Sequence, residues 1–376
     1  MNTNFTYERY QRQIILKELG IAGQHKLAAA KVLVIGAGGL GCAALQYLVA
    51  AGIGNVGIVD DDVVSISNLH RQVIYTVQDI GKPKSLIAKE KLQQLNPEIS
   101  IIAYNERLTT KNALTIIECF DIIMDGTDNF ASRYLINDAC VLMKKPLVFG
   151  AVSQFEGQVA IFNCQNKDES TPVNYRDLFP VPPKDDEVLN CAEAGVLGVL
   201  PGITGTMMAS ETIKLITGMG LPLINSLLTF NALNNQFFQV ALSSNPATVL
   251  LLPQDEEAFK EMDYVFLCSA SFEPFEINVD RFNELIATSK VDIIDVREPG
   301  ELPEIKEFNY IQIPLSIFEE NIPLIENETV ILFCQSGKRS KQAAQSLIDR
   351  MGTSKKIFSL KGGIIKWLNQ YQNQQQ

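Results

Sequence analysis

The sequence predicts an α/β protein of two domains, each built on a largely parallel sheet. Three observations lead there. The chain has 376 residues, 46% of them hydrophobic, which is more than one core usually organises. Apolar strand-like runs alternate with helical runs from Lys31 to Val152, and again on a smaller scale from Val279 onward, the rhythm of repeated βαβ units. Between the two stretches lies the acidic segment PQDEEAFKEMD, residues 253–263, which reads as the start of a linker. The expected organisation is a first domain over 1–252, a linker over 253–274 and a second domain over 275–376.

In the first domain, KVLVIG is the opening strand, a small-residue helix follows over Gly39–Ala51, and NVGIVD closes the βαβ unit. Next come a helix over Lys84–Leu95 stopped by Asn96-Pro97, the strand SIIAY, a short helix before Glu118, the strand FDIIMDG, and a helix over Asn129–Met143 ended by Lys145-Pro146. PLVFGAV ends the parallel run. Beyond it GQVAIF, LLTFNA and FFQVAL read as strands that extend the sheet in antiparallel fashion, making it mixed. The polar, proline-bearing stretch from Phe162 to Glu193 is long for a connection and is read as a functional crossover loop. Residues 215–254 carry no charge, but Gly218, Gly220 and Pro222 break any apolar run well short of the roughly 20 residues a membrane span needs. A buried sheet or a subunit interface is expected there instead. The second domain supplies a helix over Val279–Thr288, strands VDIIDV and TVILFC, a helix over Lys338–Met351, strand KIFSL and a last helix carrying Trp367.

Composition narrows the function. Thirty-two basic against 43 acidic residues give a net charge of −11, which argues against nucleic acid or an anionic membrane as partner. The N-terminal MNTNFTYERYQRQ lacks the basic-then-apolar pattern of an export signal, so a cytoplasmic protein is expected. Seven scattered cysteines, no C-x-x-C pair and two histidines offer neither a disulfide framework nor the usual ligand set of a zinc site.

The first strand runs into Gly36-Ala37-Gly38-Gly39-Leu40-Gly41. Glycines there allow a tight turn and close approach to a phosphate, under the positive end of the next helix. Asp60, ending the second strand, stands where a carboxylate accepts from ribose hydroxyls. ATP is separated from NAD by Ser67-Asn68-Leu69-His70-Arg71-Gln72, Gly81-Lys82-Pro83-Lys84 and Asp125-Gly126-Thr127-Asp128-Asn129. A triphosphate under attack needs cations around it and a carboxylate for Mg²⁺. Taken singly, Arg71 could be a surface charge, Lys84 a helix-start residue and Asp128 a helix N-cap.

These motifs, with the opening Arg9-Tyr10-Gln11-Arg12-Gln13-Ile14, resemble the ubiquitin-activating superfamily in its bacterial form, the molybdopterin-synthase and thiamine-biosynthesis adenylyltransferases, over residues 7 to about 245. The resemblance implies a Rossmann-like ATP-binding domain that adenylates the C-terminal glycine of a small ubiquitin-like protein. It implies that Gly36, Gly38, Gly39, Gly41, Asp60, Ser67, Asn68 and Asn129 line the nucleotide, that Asn68, Arg71 and Lys84 contact its phosphates, and that Asp128 holds Mg²⁺. Arg12 would reach into the neighbouring subunit's site, making a homodimer. Cys191, after the crossover loop, falls where relatives carry a cysteine that forms a thioester or disulfide with the carrier, a role suited to a nucleophilic thiolate. Cys42 and Cys140 inside helices, and Cys119 before a core strand, read as packing thiols. The chain departs from the family at its zinc site: the two C-x-x-C pairs are replaced by Asn174-Tyr175-Arg176-Asp177 and Thr248-Val249-Leu250-Leu251. Zinc is expected to be absent, with apolar packing around Leu250 and Leu251 in its place.

In the second domain a strand delivers Cys334 into Gln335-Ser336-Gly337-Lys338-Arg339-Ser340 and a helix begins at once. Successive backbone N–H groups, two cations and a helix start favour a thiolate there. With Asp295-Val296-Arg297-Glu298 upstream and Leu360-Lys361-Gly362-Gly363 downstream, residues 275–376 resemble a rhodanese domain, a smaller α/β fold. The loop of six from Cys334 to Arg339 suits a persulfide rather than a phosphate. The combined expectation is an adenylyltransferase and sulfurtransferase using ATP and Mg²⁺. Its partners would be a sulfur carrier ending in Gly-Gly and an upstream donor such as a cysteine desulfurase, in molybdopterin, thiamine or related thiolation chemistry. An NAD-dependent oxidoreductase and a non-catalytic scaffold for a ubiquitin-like partner are the alternatives; neither accounts for Arg71, Lys84 and Asp128 together.

Overall fold

A computed structural model describes residues 6–165, 171–182, 195–269, 276–288, 290–318, 321, 325, 327–351 and 355–374. They fall into two units, one reaching Cys268 and the other starting at Ser269.

The first unit opens with α1 (Tyr7–Ile14) and α2 (Gly20–Ala29), then alternates β1 (Lys31–Ile35), α3 (Gly39–Ala51), β2 (Asn55–Val59), α4 (Lys84–Leu95), β3 (Ser100–Tyr104), α5 (Ala113–Glu118), β4 (Ile122–Asp125), α6 (Phe130–Leu142) and β5 (Leu147–Ser153). β6 (Glu156–Phe162), α7 (Tyr175–Leu178), α8 (Leu200–Thr217), β7 (Ser226–Asn231) and β8 (Gln236–Ala241) follow, and then two short helices, α9 (Glu256–Glu261) and α10 (Tyr264–Ser269). The eight strands form one sheet in the order β3-β2-β1-β4-β5-β6-β7-β8. It is parallel from β3 to β5 and antiparallel from β5 to β8, as the change of texture after β5 leads one to expect.

The central strands are apolar on both faces because both are covered. Val32 and Val34 of β1 join one core with α3 and α4, while Leu33 and Ile35 join the other with α5 and α6. Strand order reverses between β1 and β4, so their carboxyl ends diverge into a crevice, the usual ligand position in such sheets.

The charge-free stretch 215–254 is a buried sheet only in part: Leu227 and Phe230 of β7 are buried. All six residues of β8 are exposed, with Phe237, Phe238 and Val240 each more than half so. The cause is positional: β8 is the last strand and nothing among the described residues covers it. Residues 253–268, most of the expected 253–274 linker, group with the first unit. Phe259 is fully buried and Tyr264 is 3% exposed in the α5–α6 core. Among the described residues no helix is long and apolar enough to cross a membrane.

The second unit holds β9 (Glu276–Ile277), α11 (Val279–Thr288), β10 (Val291–Asp295), β11 (Ile311–Gln312), β12 (Thr329–Phe333), α12 (Lys338–Met351), β13 (Lys356–Leu360) and α13 (Gly363–Gln374). Its sheet runs β11-β10-β12-β13-β9, all parallel. Trp367 is buried against Phe282 and Phe308 and donates its indole N–H to Asn283 Oδ1 at 2.8 Å.

Candidate active site

At the carboxyl ends of the parallel strands lies a cavity of about 670 Å³ lined by Gly36, Gly38, Gly39, Asp60, Arg71, Gln72, Lys84, Asp128 and Asn129, among others. Residues that stand far apart in sequence thus converge. Gly36 has φ +92°, and a Cβ there would sit 2.9 Å from the Gly126 carbonyl, so the turn after β1 admits only glycine. Gly41 does not line the cavity. A Cβ on it would lie 1.9 Å from the Gly36 carbonyl, so it lets α3 close onto the turn and aims the helix start at the cavity.

Asp60 Oδ2 accepts from the Ala37 N–H at 2.7 Å and Oδ1 from the Asp62 N–H at 2.9 Å. The carboxylate therefore braces the glycine turn as well as facing the cavity. Burial raises its pKa, and Lys84 opposes that rise. Lys84 opens α4 directly after Pro83, is 5% exposed, and donates to Asp62 Oδ2 at 2.8 Å. Arg71 donates to the Ser67 carbonyl at 3.0 Å and meets His70 Nε2 at 2.7 Å, so His70 orients Arg71. Ser67 and Asn68 do not line the cavity. Asn68 Oδ1 accepts from the Ser65 N–H at 3.0 Å, which fixes the turn that presents Arg71.

The N-cap of α6 is Asn129, whose Oδ1 accepts from the Ser132 N–H at 2.9 Å. Asp128 is thereby released from capping. It is exposed in the cavity, and no hydrogen bond or ion pair engages its carboxylate among the described residues. That suits Mg²⁺, which takes one or two carboxylates and completes its shell with phosphates and water. Two buried atoms of lining residues, Gln72 Oε1 and Arg133 Nε, lack hydrogen-bond partners among the described residues. A polar ligand would satisfy them. Asp125, below the loop, accepts at Oδ1 from the Thr127 N–H and Oγ1 at 2.9 and 2.7 Å, and burial raises its pKa.

Arg12 is exposed on α1 and does not line the cavity. Its neighbours explain why the helix sits where it does: Tyr10 is buried against Asn96, and Gln13 donates to the Ala51 carbonyl. Cys191 lies outside the described residues. Burial pushes the Cys42 thiol up to about 12 and Cys140 well above its ordinary value, which makes both poor nucleophiles.

The expected apolar packing at Leu250 and Leu251 is not observed: they are 87% and 41% exposed. A carboxylate joins the two segments instead. Asp177 Oδ1 accepts from the Asn245 N–H at 3.0 Å and from Thr248 Oγ1, and Oδ2 accepts from the Asn174 N–H and Nδ2, both at 2.8 Å. Thr248, rather than the leucines, is the buried member of its group, at 1% exposure. Arg176 forms a buried bidentate pair with Asp138 on α6 at 2.8 and 2.7 Å. Neither four-residue group holds a thiolate, so these residues do not fit a tetrahedral zinc site.

In the second unit Cys334 is buried at the end of β12. The Gly337 N–H donates to its Sγ at 3.1 Å and the Ser340 hydroxyl lies 3.5 Å away. Gly337, Gly362 and Gly363 all have positive φ. A Cβ on Gly363 would stand 2.5 Å from the carbonyls of Cys334 and Gln335, so the downstream glycines let α13 close on the loop. Arg339 is not an open cation beside the sulfur. It forks onto both oxygens of Glu301 at 2.5 and 2.6 Å, a charge-assisted pair that holds Glu301 down at about 2. Glu301, three residues past the expected Asp295–Glu298 motif, carries no sequence signal of its own, and neither do Asp62 and Arg133. Each acts through a partner distant in sequence or on another element.

The ThiF family model matches residues 10–251. The chain belongs to the ThiF family. A rhodanese-like domain model matches residues 278–370. The chain is similar to "Sulfur carrier protein adenylyltransferase" of Thermus thermophilus, 49% identical over 69% of this chain and 96% of that protein. It is also similar to "Probable adenylyltransferase/sulfurtransferase MoeZ" of Mycobacterium tuberculosis, 39% identical over 97% of this chain and 93% of that one. Among solved structures, Escherichia coli MccB superposes with a TM-score of 0.55 at 21% identity, covering 65% of this chain and 74% of that one, a likeness of fold. This ThiF-family chain thus carries the strand-end cavity and the cysteine loop on two units of one polypeptide.

Proposed function

We propose that this enzyme adenylates the C-terminal glycine of a small ubiquitin-like sulfur carrier and then converts the acyl adenylate to a thiocarboxylate. The observation that carries the reading is the convergence of Gly39, Arg71, Lys84 and Asp128 on one cavity in a chain that also bears the Cys334 loop.

In this reading the α3 start and the glycine turn hold the phosphates, Asp60 the ribose, and Arg71 and Lys84 the charge that develops as the glycine carboxylate attacks the α-phosphorus and pyrophosphate leaves. Asp128 holds Mg²⁺, which supplies further neutralisation of the phosphates when bound. Arg12, exposed and outside its own cavity, serves the site of a second copy in a homodimer. The exposed apolar face of β8 offers that copy a surface. In the second domain the terminal sulfur of a Cys334 persulfide attacks the acyl carbon and AMP leaves, giving an acyl disulfide. A dithiol reductant then attacks the Cys334 sulfur, frees the thiocarboxylate and closes its own disulfide, which returns Cys334 as a thiol; Cys191 is the thiol that takes the carrier as a thioester or disulfide. The Gly337 N–H and the Ser340 hydroxyl hold the sulfur, while Glu301 fixes Arg339 at the loop rim. No zinc takes part, and a cysteine desulfurase is the class of donor that reloads Cys334. The setting is cytoplasmic, and the carrier belongs to molybdopterin, thiamine or a related thiolation pathway.

The test separates the halves. Asp128→Ala should abolish carrier-dependent ATP–pyrophosphate exchange. Cys334→Ala should leave exchange intact and stop thiocarboxylate formation. Exchange surviving in Asp128→Ala would overturn the magnesium assignment.

A further inference from the structure

Residues 252–277 belong to neither family match, since one ends at 251 and the other begins at 278. Part of this stretch nevertheless reaches the nucleotide cavity: Met262, Asp263, Tyr264 and Val265 line it. We infer that Met262 and Val265 form the apolar wall against which the adenine base of ATP lies. On this view the adenylation site includes a piece of the stretch between the two matches. The inference rests on the adenylation reading and adds the base subsite to it.

The direction of the nucleotide fixes which end of the cavity takes the base. Phosphates belong at the glycine turn after β1, and ribose at the carboxylate ending β2. The next strand in the sheet is β3, so a base continuing along this line meets the residues that follow β3. Of these, Glu106, Arg107, Leu108, Thr109 and Thr110 line the cavity. The 262–265 segment is tied to that place: Thr110 Oγ1 donates to the Lys260 carbonyl at 3.3 Å.

Two anchors hold the segment without involving the wall residues. Phe259 is fully buried, and Tyr264 donates its hydroxyl to Asp138 Oδ2 at 2.9 Å, on the carboxylate that also holds Arg176. Burial and Asp138 both raise the Tyr264 pKa, so the phenol stays a donor. With these anchors set, Met262 is left half-buried and Val265 69% exposed, and both line the cavity, as Leu108 does. A flat apolar heterocycle is bound by such a surface, and a polyadaptable methionine with a branched aliphatic suits its face.

Two variants test this in the full chain: Val265→Ala, at a position too exposed to disturb the fold, and Met262→Ala/Val265→Ala. The expected result for the pair is a KM for ATP about tenfold higher, equivalent to about 1.4 kcal/mol, with kcat for carrier-dependent pyrophosphate exchange within about twofold of wild type. Val265→Ala alone should raise KM about threefold. Binding of inorganic tripolyphosphate, which has no base, should be unchanged in both, whereas a non-hydrolysable ATP analogue should bind correspondingly less tightly. An unchanged affinity for the analogue would overturn the inference, and so would a parallel loss of tripolyphosphate binding, which would mean a general collapse of the site. Failure of wild type to exchange pyrophosphate would count against the adenylation reading alone, because the two binding measurements need no carrier.

Discussion

The Asp177 junction makes a sharp prediction, because it stands where the family resemblance implies a zinc site. Asp177→Ala removes the acceptor of four hydrogen bonds, two from Asn174 in its own segment and two, from Asn245 and Thr248, that join it to the segment after β8. Hydrogen bonds to a charged group are each worth about 1.5–3 kcal/mol net. Water can replace those at exposed Asn245, but not at Thr248, 1% exposed, or Asn174, 7% exposed. At the lower value, about 1.5 kcal/mol for each of the two buried donor residues, Thr248 and Asn174, a loss of about 3 kcal/mol follows. For a unit of this size, about 2–4 °C per kcal/mol converts that into a Tm lower by about 6–12 °C. The assay follows from composition. The single tryptophan, Trp367, lies in the second unit, so its fluorescence follows that unit, whereas circular dichroism follows both. Asp177→Ala should lower the transition seen by circular dichroism and leave the fluorescence transition in place. A strong zinc chelator should move neither transition in wild type. A Tm change under about 2 °C in Asp177→Ala, or a chelator effect as large as the substitution, would refute the reasoning.

Gly41→Ala should abolish ATP binding while the second domain still unfolds as in wild type, because the added methyl group meets the Gly36 carbonyl at 1.9 Å; titration with an ATP analogue checks it. Arg12→Ala and Asp128→Ala should each be inactive in exchange, yet an equal mixture allowed to reassort should recover about a quarter of wild-type activity, since half the dimers regain one complete site. No recovery would place Arg12 outside the neighbour's site. The Glu301–Arg339 pair should impose a pH dependence on the second domain. Glu301 is held down at about 2 by Arg339, so the pair's contribution to stability is complete above the ordinary carboxylate range near 4.5 and fades as pH falls from there toward 2. Glu301→Gln should flatten that slope in acid titrations read by Trp367 fluorescence, with a cost at neutral pH of about 1 kcal/mol for a partly exposed pair.

Much of the fold is legible in the sequence because its signals are local. The helices over Lys84–Leu95, Val279–Thr288 and Lys338–Met351 run as the periodicity predicts, and the three strands after β5 form the antiparallel extension. The candidate site is legible for a related reason. Glycine turns, the carboxylate ending β2 and the Asp128–Asn129 pair sit at strand ends, where βα topology gathers them on one edge. The finer roles were not legible. Nothing local distinguishes Asp128 from Asn129 as the N-cap, and only the folded geometry gives capping to Asn129 and leaves Asp128 to the cavity. In the same way Arg339 reads as a cation for Cys334 until Glu301, 38 residues earlier, is brought against it.

By itself, then, the sequence determined two α/β units, the residue types that suit a nucleotide and a reactive sulfur, and the lack of any C-x-x-C pair. Those facts depend on chain-local patterns of turn, strand and helix. Only the tertiary structure decided what joins Asn174–Asp177 to Thr248, why the charge-free β8 is exposed at the sheet edge, and that residues 262–265 line the cavity at the strand ends. Each of these depends on pairing between residues distant in sequence, and the partner of a carboxylate, a strand edge or a buried phenol is set by which elements the packed core brings together.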